Sequence, residues 1–244
     1  MIPVPKKADF MQAPDPKEAV GLAAAQLVQS GMVVGLGTGS TAAKFVSALG
    51  RRAWDERLDL VCVATSRATA AQAVEEGLKV VELDEAPPID LCIDGADEID
   101  PALALIKGGG GALLREKLVW EAAKRCVVIA DASKKVARLG AFALPVEVVS
   151  FGHTTTAGRL SGLLKDLGYV VEPKLRLNRT GAPFETDNGG LIYDLALGAI
   201  EDAEFLASAL KGITGVVEHG LFIGLAQEAL IAAGGAVERL TLEA

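Results

Sequence analysis

Met32-Val33-Val34-Gly35-Leu36-Gly37-Thr38-Gly39-Ser40-Thr41-Ala42 is the stretch on which the fold turns. Its first five residues form an apolar run of strand length, a glycine turn follows, and a helical pattern continues to about Arg52. Strand, turn and helix make one βα unit, and the alternation recurs downstream. Strands are expected over 60–64, 79–83, 91–94 and 126–130, with helices over 66–76 and 112–124. Upstream, Asp15-Pro16-Lys17-Glu18 resembles a capping box with proline at the first helical position, opening a helix that runs to Gln29. The strands are continuous apolar runs and not in/out alternations, so they predict a doubly wound, mostly parallel sheet covered on both faces. Ligands of such sheets bind beyond the carboxyl ends of the strands. Residues 37–41, 94–100 and 107–111 all fall there.

After about Gly140 the rhythm changes to strand 146–149, helix 154–167, strands 169–177 and 190–195, helix 202–210 and strand 216–219. This β-α-β-β-α-β order predicts a small ferredoxin-like α+β unit over 141–224, following a doubly wound unit over 1–140. The tail is ambiguous: 226–233 scans as a helix by composition, yet Ala229-Leu230-Ile231-Ala232 is short enough for a strand.

Composition narrows the functions open to the chain. Half of its 244 residues are apolar, but only two Trp, two Tyr and seven Phe occur, so the core must be aliphatic. A formal charge of −8 is the wrong sign for holding nucleic acid through its phosphates, and few aromatics disfavour base stacking. No apolar run reaches the roughly 18 residues a membrane span needs, and Met1-Ile2-Pro3-Val4-Pro5-Lys6-Lys7 lacks the apolar core of a signal peptide, so a cytoplasmic protein is expected. Cys62, Cys92 and Cys126 each sit in an apolar run and read as reduced, buried thiols. With His153 and His219 the only histidines, and no C-x-x-C spacing, a transition-metal site is not expected.

Three loops carry the chemistry. Gly37-Thr38-Gly39-Ser40-Thr41 places hydroxyls at a helix start whose free N–H groups favour an anion, phosphate above all. It also fits a degenerate dinucleotide fingerprint, although Thr65-Ser66-Arg67 stands where that reading wants an acid; Arg67 leaves an NADP alternative open. Asp94-Gly95-Ala96-Asp97-Glu98-Ile99-Asp100 crowds four carboxylates, which push one another's pKa values upward. Helix-capping loop or magnesium site are the alternatives. Lys107-Gly108-Gly109-Gly110-Gly111 gives up so much side-chain packing that a ligand against its backbone is the better explanation, with Lys107 and the glycine amides facing an oxyanion. The apolar positions Leu113, Leu114, Leu118 and Val119 leave Glu116 off the core stripe, an ordinary surface glutamate or, near a glycine-lined cleft, a base. Lys134 or Lys135, after another buried strand, reaches the same rim. Lys17 opposes its helix dipole and wants an anion nearby. Thr186-Asp187-Asn188-Gly189-Gly190 reads as a hairpin turn, and His219 as a core or interface histidine.

Taken in order, Gly35 to Ala42, Asp94 to Glu98, Lys107 to Ala112 and Ala130 to Lys134 resemble the A-type ribose-5-phosphate isomerases. Thr186 to Gly189 and Gly215 to Phe222 extend the resemblance over roughly 15 to 235; Gly190 departs from it, where the family pattern often has Asn. The resemblance implies a metal-free, cofactor-free aldose–ketose isomerase of the pentose phosphate pathway that works through an enediolate. It implies Thr38, Gly39, Ser40 and Thr41 as the phosphate site and Asp94 and Asp97 as handlers of the hydroxyl protons and ring opening. Gly95 and Ala96 would line the substrate. Glu116 would be the proton-shuttling base, Lys107 and the amides of Gly108, Gly109 and Gly110 would hold the enediolate, and Lys134 would touch substrate; Lys17, whose place against its helix dipole wants an anion, is expected to bind it as well. It further implies that 225–244 returns to the first sheet as a strand, and that the chain forms a homodimer or homotetramer.

Overall fold

The computed structural model describes residues 15–233 and 235–242. A six-stranded sheet forms its centre, built from β1 (Val33–Leu36), β2 (Val61–Ala64), β3 (Leu91–Gly95), β6 (Cys126–Asp131), β12 (Glu228–Ala233) and β13 (Ala236–Thr241). The order is β13-β12-β6-β3-β1-β2, parallel throughout except for β13, which turns back on β12. Residues alternate in direction along each strand. Val34, Leu36, Cys62, Ile93 and Ile129 face a core made with α1 (Pro16–Ala25), α2 (Ser40–Glu56) and α3 (Arg67–Glu75). Val33, Val63, Cys92, Val128 and Ile231 face the opposite core, with Val119 and Trp120 of α4 (Leu113–Glu121). Both faces are therefore covered, the arrangement the apolar runs predict. The three cysteines are buried and unpaired.

Residues 144–219 form a four-stranded antiparallel sheet in the order β10-β7-β9-β8, from β7 (Leu144–Val148), β8 (Lys174–Leu175), β9 (Leu191–Leu195) and β10 (Val216–His219). With α5 (His153–Asp166) and α6 (Ala203–Lys211) this is the predicted β-α-β-β-α-β order. A third sheet joins β11 (Leu221–Phe222) to β5 (Leu105–Ile106) and β4 (Glu98–Ile99).

Three expectations need correction and one ambiguity is resolved. Strand 79–83 shrinks to a single bridge from Val80 to Cys62, because the chain turns away at Leu83–Glu85 toward Pro87-Pro88, which have no N–H to pair. Strand 169–177 is reduced to β8, just after Pro173. The ambiguity over 226–233 is resolved in favour of the strand that the resemblance implies: the open edge of β6 takes up this segment as β12, burying Ala229 and Ile231 on one face and Leu230 and Ala232 on the other. The first helix ends at Ala25 and not at Gln29, although its start holds: Asp15 accepts a hydrogen bond from the Lys17 N–H with Pro16 at the first position.

Candidate active site

Loops from the carboxyl ends of β1, β3 and β6 and the turn after β5 border an open cleft of about 120 Å3. Lys17, Thr38, Gly39, Ser40, Thr41, Gly95, Ala96, Asp97, Lys107, Gly108, Gly109, Gly110, Glu116 and Lys134 line it. The sequence expects every one of them at a single rim. Asp94, the remaining member of that set, lies behind the cleft wall with no exposed surface. Lys135 turns away to Glu238, 3.3 Å distant, which settles the choice between the two lysines.

One end of the cleft is the start of α2. Gly39 has φ +108 and caps no N–H with a side chain, so the first-turn amides stay free for an anion. The Lys17 ammonium donates to Ser40 Oγ at 2.9 Å, bringing a cation from α1 to the same place. Gly37 is required: a Cβ there would sit 2.2 Å from Asp94 Oδ1. Thr38 is fixed twice. Its N–H donates to Asp94 Oδ1 at 3.0 Å, and its hydroxyl joins those of Thr65 (2.7 Å) and Ser66 (2.9 Å). Thr65, Ser66 and Thr69 support the anion loop from the end of β2, a role that only their hydroxyls, clustered after a buried strand, signal in sequence.

The other end is ionic and buried. The Lys107 ammonium lies 3.0 Å from Asp94 Oδ2 and 3.5 Å from Glu116 Oε1, donates to the Gly95 carbonyl at 2.5 Å, and sits 5.3 Å and 5.4 Å from the ring centres of Trp120 and Phe222. Burial pulls the Lys107 pKa down, but Asp94 and Glu116 carry it above the usual lysine value, so it stays charged. Burial raises Asp94, against the pull of Lys107 and of the Gly95 and Thr38 N–H groups. Burial also dominates at Glu116, pushed up to about 8 in spite of Lys107. Its second oxygen, Oε2, finds no hydrogen-bond donor among the described residues. The expectation that Glu116 lies off the buried face is wrong: it is 4% exposed and Lys117 7%, whereas Leu118 is 47% exposed. The buried face of α4 is mixed: Glu116 lines the cleft and Lys117 is buried on the same helix as the apolar Leu113, Val119 and Trp120.

The crowded carboxylates divide into two kinds. Asp97 faces the cleft and accepts the Gly109 N–H at 2.7 Å; a Cβ on Gly109 would meet it at the same distance. Glu98 accepts the N–H groups of Gly140 and Phe142, and Asp100 those of Ala102 and Ala104, so both are structural. The hairpin turn at Thr186–Gly190 holds, with Gly189 at φ +78, and His219 is buried against Lys117. Arg176 and Phe184 reach the glycine loop from the four-stranded sheet, and nothing in their sequence context marks them.

A cleft of this polarity, at the carboxyl edge of a doubly wound sheet, defines an α/β enzyme for a small anionic molecule. Comparison with known proteins gives the family. The model of the ribose 5-phosphate isomerase A (phosphoriboisomerase A) family matches residues 61–235. Ribose-5-phosphate isomerase A of Caulobacter vibrioides is 56% identical over 94% of this chain and 99% of its own, and that of Synechococcus sp. 53% identical over 92% and 96%. Among solved structures, ribose 5-phosphate isomerase A of Methanocaldococcus jannaschii superposes with a TM-score of 0.87 at 38% identity, over 95% of this chain and all of that one. A D-ribose-5-phosphate isomerase in complex with phospho-erythronic acid superposes at 0.88 with 32% identity, over 95% and 100%. The chain belongs to the ribose 5-phosphate isomerase A family, and its activity is that of an isomerase.

Proposed function

We propose that this protein interconverts ribose 5-phosphate and ribulose 5-phosphate through an enediolate, with Glu116 as the single base and no metal ion. The observation that carries the reading is the Glu116 carboxyl: buried, held 3.5 Å from Lys107, raised to about 8 and with one oxygen unbonded among the described residues. A polar atom kept buried without a partner is expensive, and an unbonded carboxylate oxygen is one free to accept a proton. The phosphate binds at the start of α2 with Ser40, Thr41 and Lys17, and the sugar runs along Gly95, Ala96 and Lys134 toward the ionic end. A relative's complex with phospho-erythronic acid supports a phosphorylated sugar in this cleft.

Glu116 removes the proton from C2 of the open-chain aldose and returns it to C1; both carbons lie on one face of the planar enediolate, so one carboxylate serves both half-reactions. Negative charge grows on the carbonyl oxygen. The Lys107 ammonium, itself buried, and the amides of Gly108 to Gly110 receive it as donors already fixed in place. Asp97, which lines the cleft, carries the hydroxyl proton and assists ring opening. Asp94 has no exposed surface and keeps Lys107 charged and aimed. Its Oδ1 accepts the Thr38 and Gly95 N–H groups and its Oδ2 forms the ion pair with Lys107, which supports a role in holding the lysine over binding a metal cation.

The test is a coupled assay on ribose 5-phosphate without added nucleotide or metal. Glu116→Gln is expected to bind the phosphosugar within several-fold of the parent while losing turnover, and substantial retained turnover removes Glu116 as the base. Exhaustive chelation leaves the parent rate unchanged; a rate lost and then restored by magnesium favours the cation reading.

A further inference from the structure

The four glycines that follow Lys107 have no side chains to fix them, and the direction of their amides is what an oxyanion site depends on. Arg176, on the residue after β8, supplies that direction from the other sheet. Its Nη1 donates to the Gly108 carbonyl at 2.8 Å and to the Gly109 carbonyl at 3.2 Å. A trans peptide points its C=O and the next residue's N–H in opposite directions. Holding the Gly108 carbonyl outward therefore turns the Gly109 N–H inward, and that N–H donates to Asp97 Oδ2 at 2.7 Å. Holding the Gly109 carbonyl likewise turns the Gly110 N–H toward the cleft. Arg176 is itself aligned: its Nε and Nη2 donate to the two oxygens of Asp194 at 2.9 Å and 2.5 Å, and its guanidinium lies 6.0 Å from the ring centre of Phe184. Phe184 in turn closes on Gly111, whose φ is +84 and where a Cβ would fall 2.4 Å from the ring.

We infer that Arg176 is a positioning residue for isomerisation, holding the 108–110 peptides so that their amides and Asp97 face the developing enediolate. The inference rests on the proposed enediolate reading. A planar fork that spans two carbonyls and a carboxylate is a geometry lysine cannot reproduce. A misplacement of about 1 Å at such a site costs up to about 100-fold in rate.

The experiment compares the full-length parent, Arg176→Lys, Arg176→Gln and Glu116→Gln. Four readouts apply: kcat and KM for ribose 5-phosphate, affinities for phospho-erythronic acid and for inorganic phosphate, amide NMR signals of the glycine loop, and the melting temperature. In both Arg176 variants kcat is expected to fall about 10- to 100-fold with KM within about threefold. The Gly109 and Gly110 amide signals shift, and affinity for phospho-erythronic acid drops while that for inorganic phosphate holds. Arg176→Lys retaining parental kcat and unshifted Gly109 and Gly110 signals overturns the inference. So does loss of both affinities together with the melting temperature, the mark of a structural role alone. If Glu116→Gln remains active, the enediolate reading has failed; if Glu116→Gln is inactive while the Arg176 variants are unimpaired, only this inference has.

Discussion

Glu116 shows how far a side chain's chemistry depends on surroundings that its neighbours in sequence do not reveal. Its type and its place after a glycine loop are visible in the chain, but its burial is not, because the apolar positions 113, 114, 118 and 119 suggest one stripe, whereas Leu118 is 47% exposed and Glu116 shares the buried side with Leu113, Val119 and Trp120. Burial then sets its titration near 8, well above an ordinary glutamate. A base must be ionised to work, so kcat/KM, which reports the free enzyme, is expected to rise about tenfold per pH unit below about 8 and to level off above it. The second ionisation of a phosphate ester falls near 6, so the two limbs are separable. A pH profile from 5 to 10 checks this. A plateau already reached at pH 6 would place the base among ordinary carboxylates and contradict the buried Glu116. The glycine and hydroxyl turn after β1, proposed as the phosphate site, was more legible, because such residues at a strand-to-helix turn point to a bound anion. Arg176 was not legible at all, since nothing local marks an arginine that acts on a loop some 68 residues away in sequence.

Among the elements, α4 matters most because it carries both Glu116 and the residue that anchors it. The Lys117 ammonium donates to Glu218 Oε1 at 2.7 Å and to the His219 carbonyl at 2.8 Å, and lies 4.9 Å from the ring centre of Phe222, tying α4 to the end of β10. Removing one partner of a buried ion pair strands the other charge, a loss of about 3–5 kcal/mol. Lys211 still reaches Glu218 Oε2 at 3.0 Å, so Lys117→Ala is expected at the lower end of that range, about 3 kcal/mol, in urea unfolding monitored by circular dichroism. An unchanged midpoint would mean that α4 is held by its apolar contacts alone. Strands with long apolar runs, β1, β3 and β6, were readable because burial on both faces leaves a continuous pattern. Other pieces were less so: 79–83 has the composition of a strand but keeps a single bridge, and 226–233 fits helix or strand by composition until the open edge of β6 selects the strand.

The whole molecule is joined where β11 returns from the four-stranded sheet to pair with β5, next to the site. Such two-residue strands have no periodicity to detect, so the third sheet was invisible in sequence although it fixes Lys107, whose N–H donates to the Gly220 carbonyl at 2.9 Å. This junction also governs the response to acid. Burial, with Lys117 nearby, lowers His219 from 6.5 to about 4. Glu218, although burial opposes it, is drawn down to about 2 by Lys117, the His219 N–H and Lys211. Both groups bind protons less readily folded than unfolded, so each contributes stability that is full above its unfolded pKa and is lost as pH falls toward its folded one. For His219 that window runs from about 6.5 down to about 4 and is worth up to about 3 kcal/mol; Glu218 extends the loss below about 4.5. Glu116 runs the other way, its raised pKa favouring the folded state as pH falls from about 8 toward 4.5. The opposing slopes put maximal stability near pH 6. His219→Gln removes one of them, so the difference in urea midpoint between parent and variant is expected to narrow steadily, in the parent's disfavour, from pH 7 to pH 4.5. Parallel curves across that range would mean that the junction takes up acid without the histidine, and that the carboxylates set the limb alone.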